Sequence, residues 1–335
     1  MADRRAPLQE REIRPQELMA EQAELYAADV ARLLERRSEF VDAACPACGS
    51  GASRPSMSKY ECDFVECDEC QTIYMSPRPS PELLDDYYSN SQNYEFWSRV
   101  VFPASEDARR ERIFKPRAEQ IVEIAHRHGA DGTIVDVGAG FGTFCEEVAR
   151  AGHFQRVLAI EPEPNLAAAC RERGVEVIEA PVERAELEDG CDVITSFEVI
   201  EHLFEPAELI RICRRKLSSD GLLVLTCPNG KGFDVMELGA LSTVVDTEHL
   251  NLFNPASLSG LLEREGFEVL EVHTPGKLDA ELVHNAVLAG EHELSSPFLE
   301  RVLIDEWDRL GAPFQEFLAA QGLSSNQWIV ARTGD

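Results

Sequence analysis

Between Thr133 and Phe144 the chain reads TIVDVGAGFGTF. The β-branched residues suit a pleated, half-buried strand. Gly138, Gly140 and Gly142 then alternate with other residues before a helix-like run begins. Glycine adopts backbone conformations that other residues avoid, so such a bend lets the main chain approach a ligand closely. A strand that enters a helix through this bend points to a parallel α/β sheet whose strand ends face the ligand.

The chain beyond Thr133 keeps the same alternation. Apolar runs predict strands at Thr133–Val137, Arg156–Glu161, Val175–Ile178, Cys191–Phe197, Gly221–Cys227 and Phe267–His273. Helical segments are expected near Phe144–Ala151, Asn165–Arg173, Glu205–Leu217 and Pro255–Glu265. A last strand, NQWIVART at Asn326–Thr333, follows a helix-like insertion at about 275–322. Strand–helix–strand units at this spacing require a sheet covered on both faces.

The ligand of the bend can be narrowed. A dinucleotide fingerprint needs G-x-G-x-x-G, the third glycine allowing close helix–strand packing. Here Thr143 occupies that third position, and Asp136 sits just before the bend. A carboxylate is a poor neighbour for a pyrophosphate and a good one for a cation, which disfavours a nicotinamide-dinucleotide dehydrogenase. Glu161, in AIEP at the end of the second strand, is placed to accept both hydroxyls of a ribose. The two acids together describe a site for a nucleoside that carries an amine and no phosphate.

Upstream lies Cys45-x2-Cys48, then eighteen residues, then Cys67-x2-Cys70. Paired knuckles at this spacing supply four thiolates to a closed tetrahedral Zn2+ site, which is structural rather than catalytic. No signal-peptide core opens the chain and no apolar run is long enough for a membrane span, so a reducing cytoplasm and metal-bound thiols are expected. The formal charge of −29 repels nucleic acid and anionic lipid, so neither is an expected partner. An amphipathic helix from about Pro15 to Arg37 serves packing, and a homodimer is one use for it.

VDVGAGFG, AIEP and SFEVIEHL, in this order and spacing, resemble the class I S-adenosylmethionine-dependent methyltransferases. The similarity runs from about Ile121 to Val272 and closes with the strand near Trp328. It implies an α/β, Rossmann-like, doubly wound and mostly parallel seven-stranded sheet, here with a small N-terminal zinc-binding domain and a helical insertion before the last strand. It also implies Asp136, Gly138 and Gly140 at the methionine end of the cofactor S-adenosyl-L-methionine, Glu161 on the ribose, Phe197 beside the methionine part, and residues near Ala180–Val182 against adenine. The expected domains are a helical segment at 1–40, a zinc ribbon at 41–80, aromatic linker and lid helices at 81–120, and the cofactor-binding domain at 121–335.

A zinc ribbon followed by PRPSPELLDDYY and such a core resembles a bacterial group that methylates sugars attached to nucleoside diphosphates. That resemblance implies a small-molecule acceptor, a nucleotide sugar or a glycan or secondary-metabolite precursor. It also implies a Glu–His pair as base, which falls on Glu248 and His249. His249 is the expected base, with Glu248 orienting it; capping of the helix at Asn254–Pro255 is the alternative use of His249. His202, where the chain leaves the fourth strand, is a second candidate base, or a helix cap. Tyr94, with Tyr88, is expected to lid the cofactor or touch the acceptor, an aromatic core being the alternative. The basic stretch ARRERIFKPR offers cations to a diphosphate or forms a solvated helix face. Methyl transfer to RNA or protein, or a non-catalytic binding module on the same fold, are the alternative functions. Carbon, oxygen and nitrogen all remain open as the methylated atom.

Overall fold

The computed structural model describes residues 8–334; residues 1–7 of the expected N-terminal segment and residue 335 lie outside the described residues. An α-helix at Gln16–Glu35 leads to a two-residue strand, β1 (Phe40–Val41). Strands β2 (Ser53–Lys59), β3 (Cys62–Cys67) and β4 (Ile73–Met75) follow as an antiparallel meander, and β5 (Arg78–Pro79) returns to pair with β1. Helical turns from Pro81 to His128, two of them π-helical, carry the chain to the large sheet.

That sheet begins with β6 (Thr133–Val137), β7 (Arg156–Ile160), β8 (Glu176–Ile178), β9 (Cys191–Phe197) and β10 (Leu217–Pro228). A short β11 (Asn251–Leu252), β12 (Phe267–His273) and β13 (Asn326–Thr333) complete the strands. The seven strands of the sheet lie in the order β12-β13-β10-β9-β6-β7-β8. The run from β10 to β8 is parallel, and β13 lies antiparallel between β10 and β12. The chain reverses its direction of winding between β6 and β9, and ligands of open α/β sheets bind outside the carboxyl ends at such a switch point. β10 begins at Leu217, earlier than its apolar run suggests, because Leu217 pairs with Cys191 ahead of a register shift that ends at Leu222.

Alternation along the strands builds two cores. Ile134, Val193, Leu222 and Val224 point to the face covered by helices Lys115–His128 and Thr143–Ala151. Val135, Ile194, Leu223 and Leu225 point to the other face, under helices Pro206–Lys216 and Pro255–Arg264. Each such side chain contributes roughly 1.5–3 kcal/mol by leaving water. Cys45, Ala47, Cys67 and Tyr74 of the cysteine-bearing segment belong to that second core.

β11 pairs antiparallel with β4 and so extends the small meander into a four-stranded sheet, β11-β4-β3-β2. Asn254 Nδ2 donates to the Cys70 carbonyl (2.9 Å) and Lys231 Nζ to Glu66 (2.9 Å), which strengthens the same junction. Between β12 and β13 the chain forms helices Asp279–Leu288, Pro297–Glu300 and Trp307–Ala320, joined by a π-turn at Arg301–Asp305. Among the described residues no helix is long and apolar enough to cross a membrane.

Candidate active site

The glycine bend follows β6 at the switch point. Gly138, Gly140 and Gly142 have φ of +77°, +56° and +71°. A Cβ on Gly138 would lie 2.5 Å from Val199 Cγ2, and one on Gly142 2.9 Å from Cys170 Sγ, so both glycines are required by packing. Gly140 has nothing within 4 Å of that position, and it opens into a cavity of about 740 Å3. The space a side chain would take there is available to a ligand.

Asp136 and Glu161 sit beneath this bend, each 4% exposed. Asp136 Oδ1 accepts from Thr195 Oγ1 at 2.7 Å. Burial pushes the Asp136 carboxyl up to about 7, while Thr195 and the Arg117 guanidinium pull it back. Glu161 accepts the Gly140 amide (2.7 Å) and the Glu163 amide (3.0 Å), and burial again raises its carboxyl to about 7. A carboxylate has about four lone-pair sites, so both acids keep capacity for a ligand. Asp136 lines the cavity; Glu161 stands one layer behind Gly140. Ala180–Val182 do not line it.

Phe197 ends β9 against the cavity, with Phe144 edge-on at 4.9 Å and the Arg117 guanidinium 4.3 Å over its ring. Glu198 comes next in a left-handed conformation, φ +55°. It does not cap the following turn; its Oε1 accepts from Thr226 Oγ1 (2.7 Å) and Asn326 Nδ2 (3.0 Å), tying the ends of β10 and β13 to β9.

The far end of the cavity gathers residues distant in sequence. Tyr94, His202, Glu248 and His249 line it. Glu248 does not orient His249, contrary to expectation. Its carboxyl instead accepts Tyr87 Oη (3.0 Å) and Asn93 Nδ2 (3.2 Å), and burial beside Asp246 raises it to about 7. His249 is oriented by Nδ1 donating to the Val244 carbonyl (2.7 Å) and by Asp246, whose Oδ1 accepts the His249 amide at 2.7 Å. The Asp246 carboxylate therefore holds an Asx-type turn under the imidazole, a group the sequence reading missed although Asp three residues before His is a signal for it. His249 does not cap the helix at Pro255; Asn254 does so with Ser257 in a capping box. His202 caps no helix either. Its Nδ1 lies 3.0 Å from the Glu248 carbonyl and 3.2 Å from Tyr88 Oη, and its ring centroid is 4.7 Å from that of His249. Burial, and then His249, push His202 down to about 3, so it is neutral.

The cavity wall also carries Arg14, Arg109, Arg117 and Lys277. Arg109 stacks over Phe102 at 4.4 Å, and its Nε donates to Ser105 Oγ (2.9 Å). Lys277 Nζ donates to the Arg112 carbonyl at 3.2 Å. Arg109, Arg117 and Lys277 have no carboxylate ion pair among the described residues, in a chain of charge −29. Arg110, from the same basic stretch, is absorbed by Glu146 and Glu147. His273 is exposed beside Glu271 and lies off the cavity.

On the opposite side of β11, the four cysteines converge. Their Sγ atoms lie within 4.8 Å of one another, with Cys45–Cys70 and Cys48–Cys67 each at 3.4 Å. Disulfides have S–S near 2.05 Å, whereas the edge of a tetrahedral zinc–thiolate site is ~3.8 Å. The set fits one tetrahedral cation. None of the ten cysteines is in a disulfide.

The family described as "Methyltransferase domain" matches residues 108–272. The chain carries a class I S-adenosylmethionine-dependent methyltransferase domain. A "probable S-adenosylmethionine-dependent methyltransferase" of Mycobacterium tuberculosis is 31% identical to this domain over 137 residues, covering 40% of this chain and 48% of that protein. A "ubiquinone biosynthesis O-methyltransferase" of Colwellia psychrerythraea is 28% identical over 192 residues, covering 53% of this chain and 75% of its own. The chain spans about half the length of the first curated relatives it matches. Among solved structures, a Burkholderia thailandensis 1,6-didemethyltoxoflavin-N1-methyltransferase covers 84% of this chain and 100% of itself, at 14% identity and a TM-score of 0.46. The order of the sheet sets the methyltransferase domain apart from a dinucleotide-binding one: the latter is six parallel strands, whereas here antiparallel β13 wedges between β10 and β12.

Proposed function

We propose that the protein transfers a methyl group from S-adenosyl-L-methionine to a small anionic acceptor, a nucleotide-activated sugar or a related glycan or metabolite precursor. One observation carries this reading. A single cavity is lined by the Asp136–Gly140 bend, by the adjacent rings of His202 and His249, and by Arg109, Arg117 and Lys277, which have no carboxylate ion pair among the described residues. The cofactor supplies a methyl group already activated on a sulfonium, so the protein has mainly to align an acceptor and take its proton.

Asp136, Gly138 and Gly140 would hold the charged end of the cofactor, with Phe197 and Tyr94 along it and Glu161 meeting the ribose at the edge of the bend. Arg117, between Asp136 and Glu198, suits the cofactor's carboxylate. Arg14, Arg109 and Lys277 would take phosphate or carboxylate groups of the acceptor. His249, its Nδ1 proton held by Val244, presents Nε2 as the proton acceptor; His202 stands beside it. Cys45, Cys48, Cys67 and Cys70 would hold a structural Zn2+, in a reducing setting such as the cytoplasm. Nucleic acid is a poor acceptor for so acidic a chain.

Calorimetry with S-adenosylhomocysteine on the zinc-loaded protein tests the cofactor half, with micromolar-range affinity expected. Radiolabelled methyl transfer to a panel of nucleotide sugars, free sugars and RNA tests the acceptor half. Absence of binding defeats the reading outright. Transfer to RNA alone would move the acceptor class and show the cationic wall serving a polynucleotide.

A further inference from the structure

The acceptor end of the cavity contains a carboxyl group that the reading above leaves unused. Glu201 is 0% exposed, and among the described residues neither of its carboxylate oxygens has a hydrogen-bond partner beyond the weak pull of its own backbone amide. His202 Nε2 lies 3.9 Å from one of them, too far for a hydrogen bond. Protonation does not resolve this, because a carboxylic acid would still lack an acceptor for its hydrogen. The side-chain atoms of Glu201, His202 and His249 available for ligation lie within 4.8 Å of one another, and all three residues line the cavity.

The tautomers follow from the hydrogen bonds. His249 Nδ1 faces the Val244 carbonyl at 2.7 Å, and His202 Nδ1 faces the Glu248 carbonyl at 3.0 Å. A carbonyl only accepts, and Tyr88 Oη, 3.2 Å from His202 Nδ1, has the same Glu248 carbonyl as an acceptor for its own hydrogen at 3.5 Å, so each Nδ1 carries the proton and each Nε2 is left as a lone pair. The two imidazoles and the carboxylate therefore offer three acceptors to one small volume. A water molecule has only two hydrogens and cannot satisfy three acceptors. A cation can. Metal-binding histidines characteristically donate their other ring N–H to a carbonyl or carboxylate, which is the arrangement both histidines already have.

We propose that Glu201, His202 and His249 form a second metal site, for a borderline first-row divalent cation, distinct from the four-cysteine cluster. Two imidazoles and one carboxylate suit zinc, iron, cobalt or manganese, and three ligands leave coordination positions open. All three residues line the cavity, so an oxygen-bearing ligand entering it would reach those positions. What the cation does there rests on the methyl-transfer reading; the binding of the cation does not. With the cation in place, His249 Nε2 is a ligand, and activation of the acceptor hydroxyl passes from the imidazole to the metal, which lowers the pKa of oxygen ligands.

The test uses the full tag-free chain, stripped with a chelator and reloaded with Co2+. The wild type is expected to retain one equivalent with cobalt–thiolate absorption, from the cysteines, and a second equivalent without it. Glu201→Gln and, independently, His249→Gln should weaken the second equivalent by more than about 100-fold, beyond what loss of an outer partner costs, with the thiolate absorption unchanged. A wild type that holds the thiolate-bound equivalent alone overturns the proposal, as do two variants that both keep the second equivalent. S-adenosylhomocysteine binding on the same preparations separates the two readings: a second cation without cofactor binding sinks the methyltransferase function and leaves the site.

Discussion

The two ends of the cavity are assembled in opposite ways. The cofactor end draws mainly on β6, β7 and β9 and the turns that leave them, between Thr133 and Phe197, with Arg117 and Tyr94 added from the helical turns before the sheet. Its acids are tied to the neighbouring strand or its turn, Glu161 to the Gly140 amide and Asp136 to the Thr195 hydroxyl. The acceptor end is stitched from segments far apart: Tyr87 bonds Glu248 across 161 positions and Tyr88 bonds His202 across 114. Local sequence decides the first end, and the packing of remote pieces decides the second. A ligand common to a large class can be served by the former, while the latter is free to differ between acceptors.

That contrast is exposed to direct attack. The largest effect is expected at the acceptor end: His249→Ala should lower kcat by ~10²–10⁴-fold, the range for loss of a positioned proton acceptor. Calorimetry should find S-adenosylhomocysteine affinity unmoved, and a parallel loss of affinity would mean that the two ends are not separable. Asp136→Ala should do the reverse, weakening S-adenosylhomocysteine by ~10–100-fold through loss of a charged partner. A Cys67→Ser variant is expected to sharpen the division. β4 pairs with β11, so loosening the cysteine cluster should depress turnover several-fold while cofactor affinity stays near wild type. Equal losses in both would show the cluster to support the whole fold.

The smallest effect is one of pH. Folded Asp136 and Glu161 have carboxyls near 7, above their ordinary values of 3.8 and 4.5. Between about pH 4 and 7 the folded, ligand-free protein holds protons that the unfolded chain has released. Their contribution to stability is therefore present at the acid end of this window and lost as pH rises through about 7. A cationic ligand prefers the ionised acids, so S-adenosylhomocysteine affinity and its thermal stabilisation should both grow from pH 6 to 8. Asp136→Asn should flatten that slope, and a slope that persists in the variant would assign it elsewhere.

The same contrast explains what could be read from the residues alone. The strands, the glycine bend and the four cysteines were legible because each is a short-range pattern: alternation, a conformational need for glycine, knuckle spacing. Even the places of Asp136 and Glu161 followed from their distance to the bend. The partner of His249 was not legible. Glu248 is its neighbour in the chain, but the turn held by the Asp246 carboxylate leaves Glu248 bonded to Tyr87 and Asn93, and Asp246 is the residue that arrives beside the ring. Glu201 was overlooked for a related reason: an acid in the apolar frame VIEHLF reads as a surface residue, whereas in the turn Ile200–His202 it is fully buried. The basic run ARRERIFKPR offered either cations to a diphosphate or a solvated helix face, and the structure divides it: Arg109 and Arg117 line the cavity, whereas Arg110 pairs with Glu146 and Glu147.

The two-residue strand β11 has an outsized consequence. It is the rung by which a small sheet near the start of the chain grips the segment from Val244 to Asn254. Were oxidation to lock those thiols in the wrong pairing, the nucleoside berth would survive intact while its chemistry stalled. Such molecules would sequester coenzyme without consuming it, and would compete with their working siblings for supply.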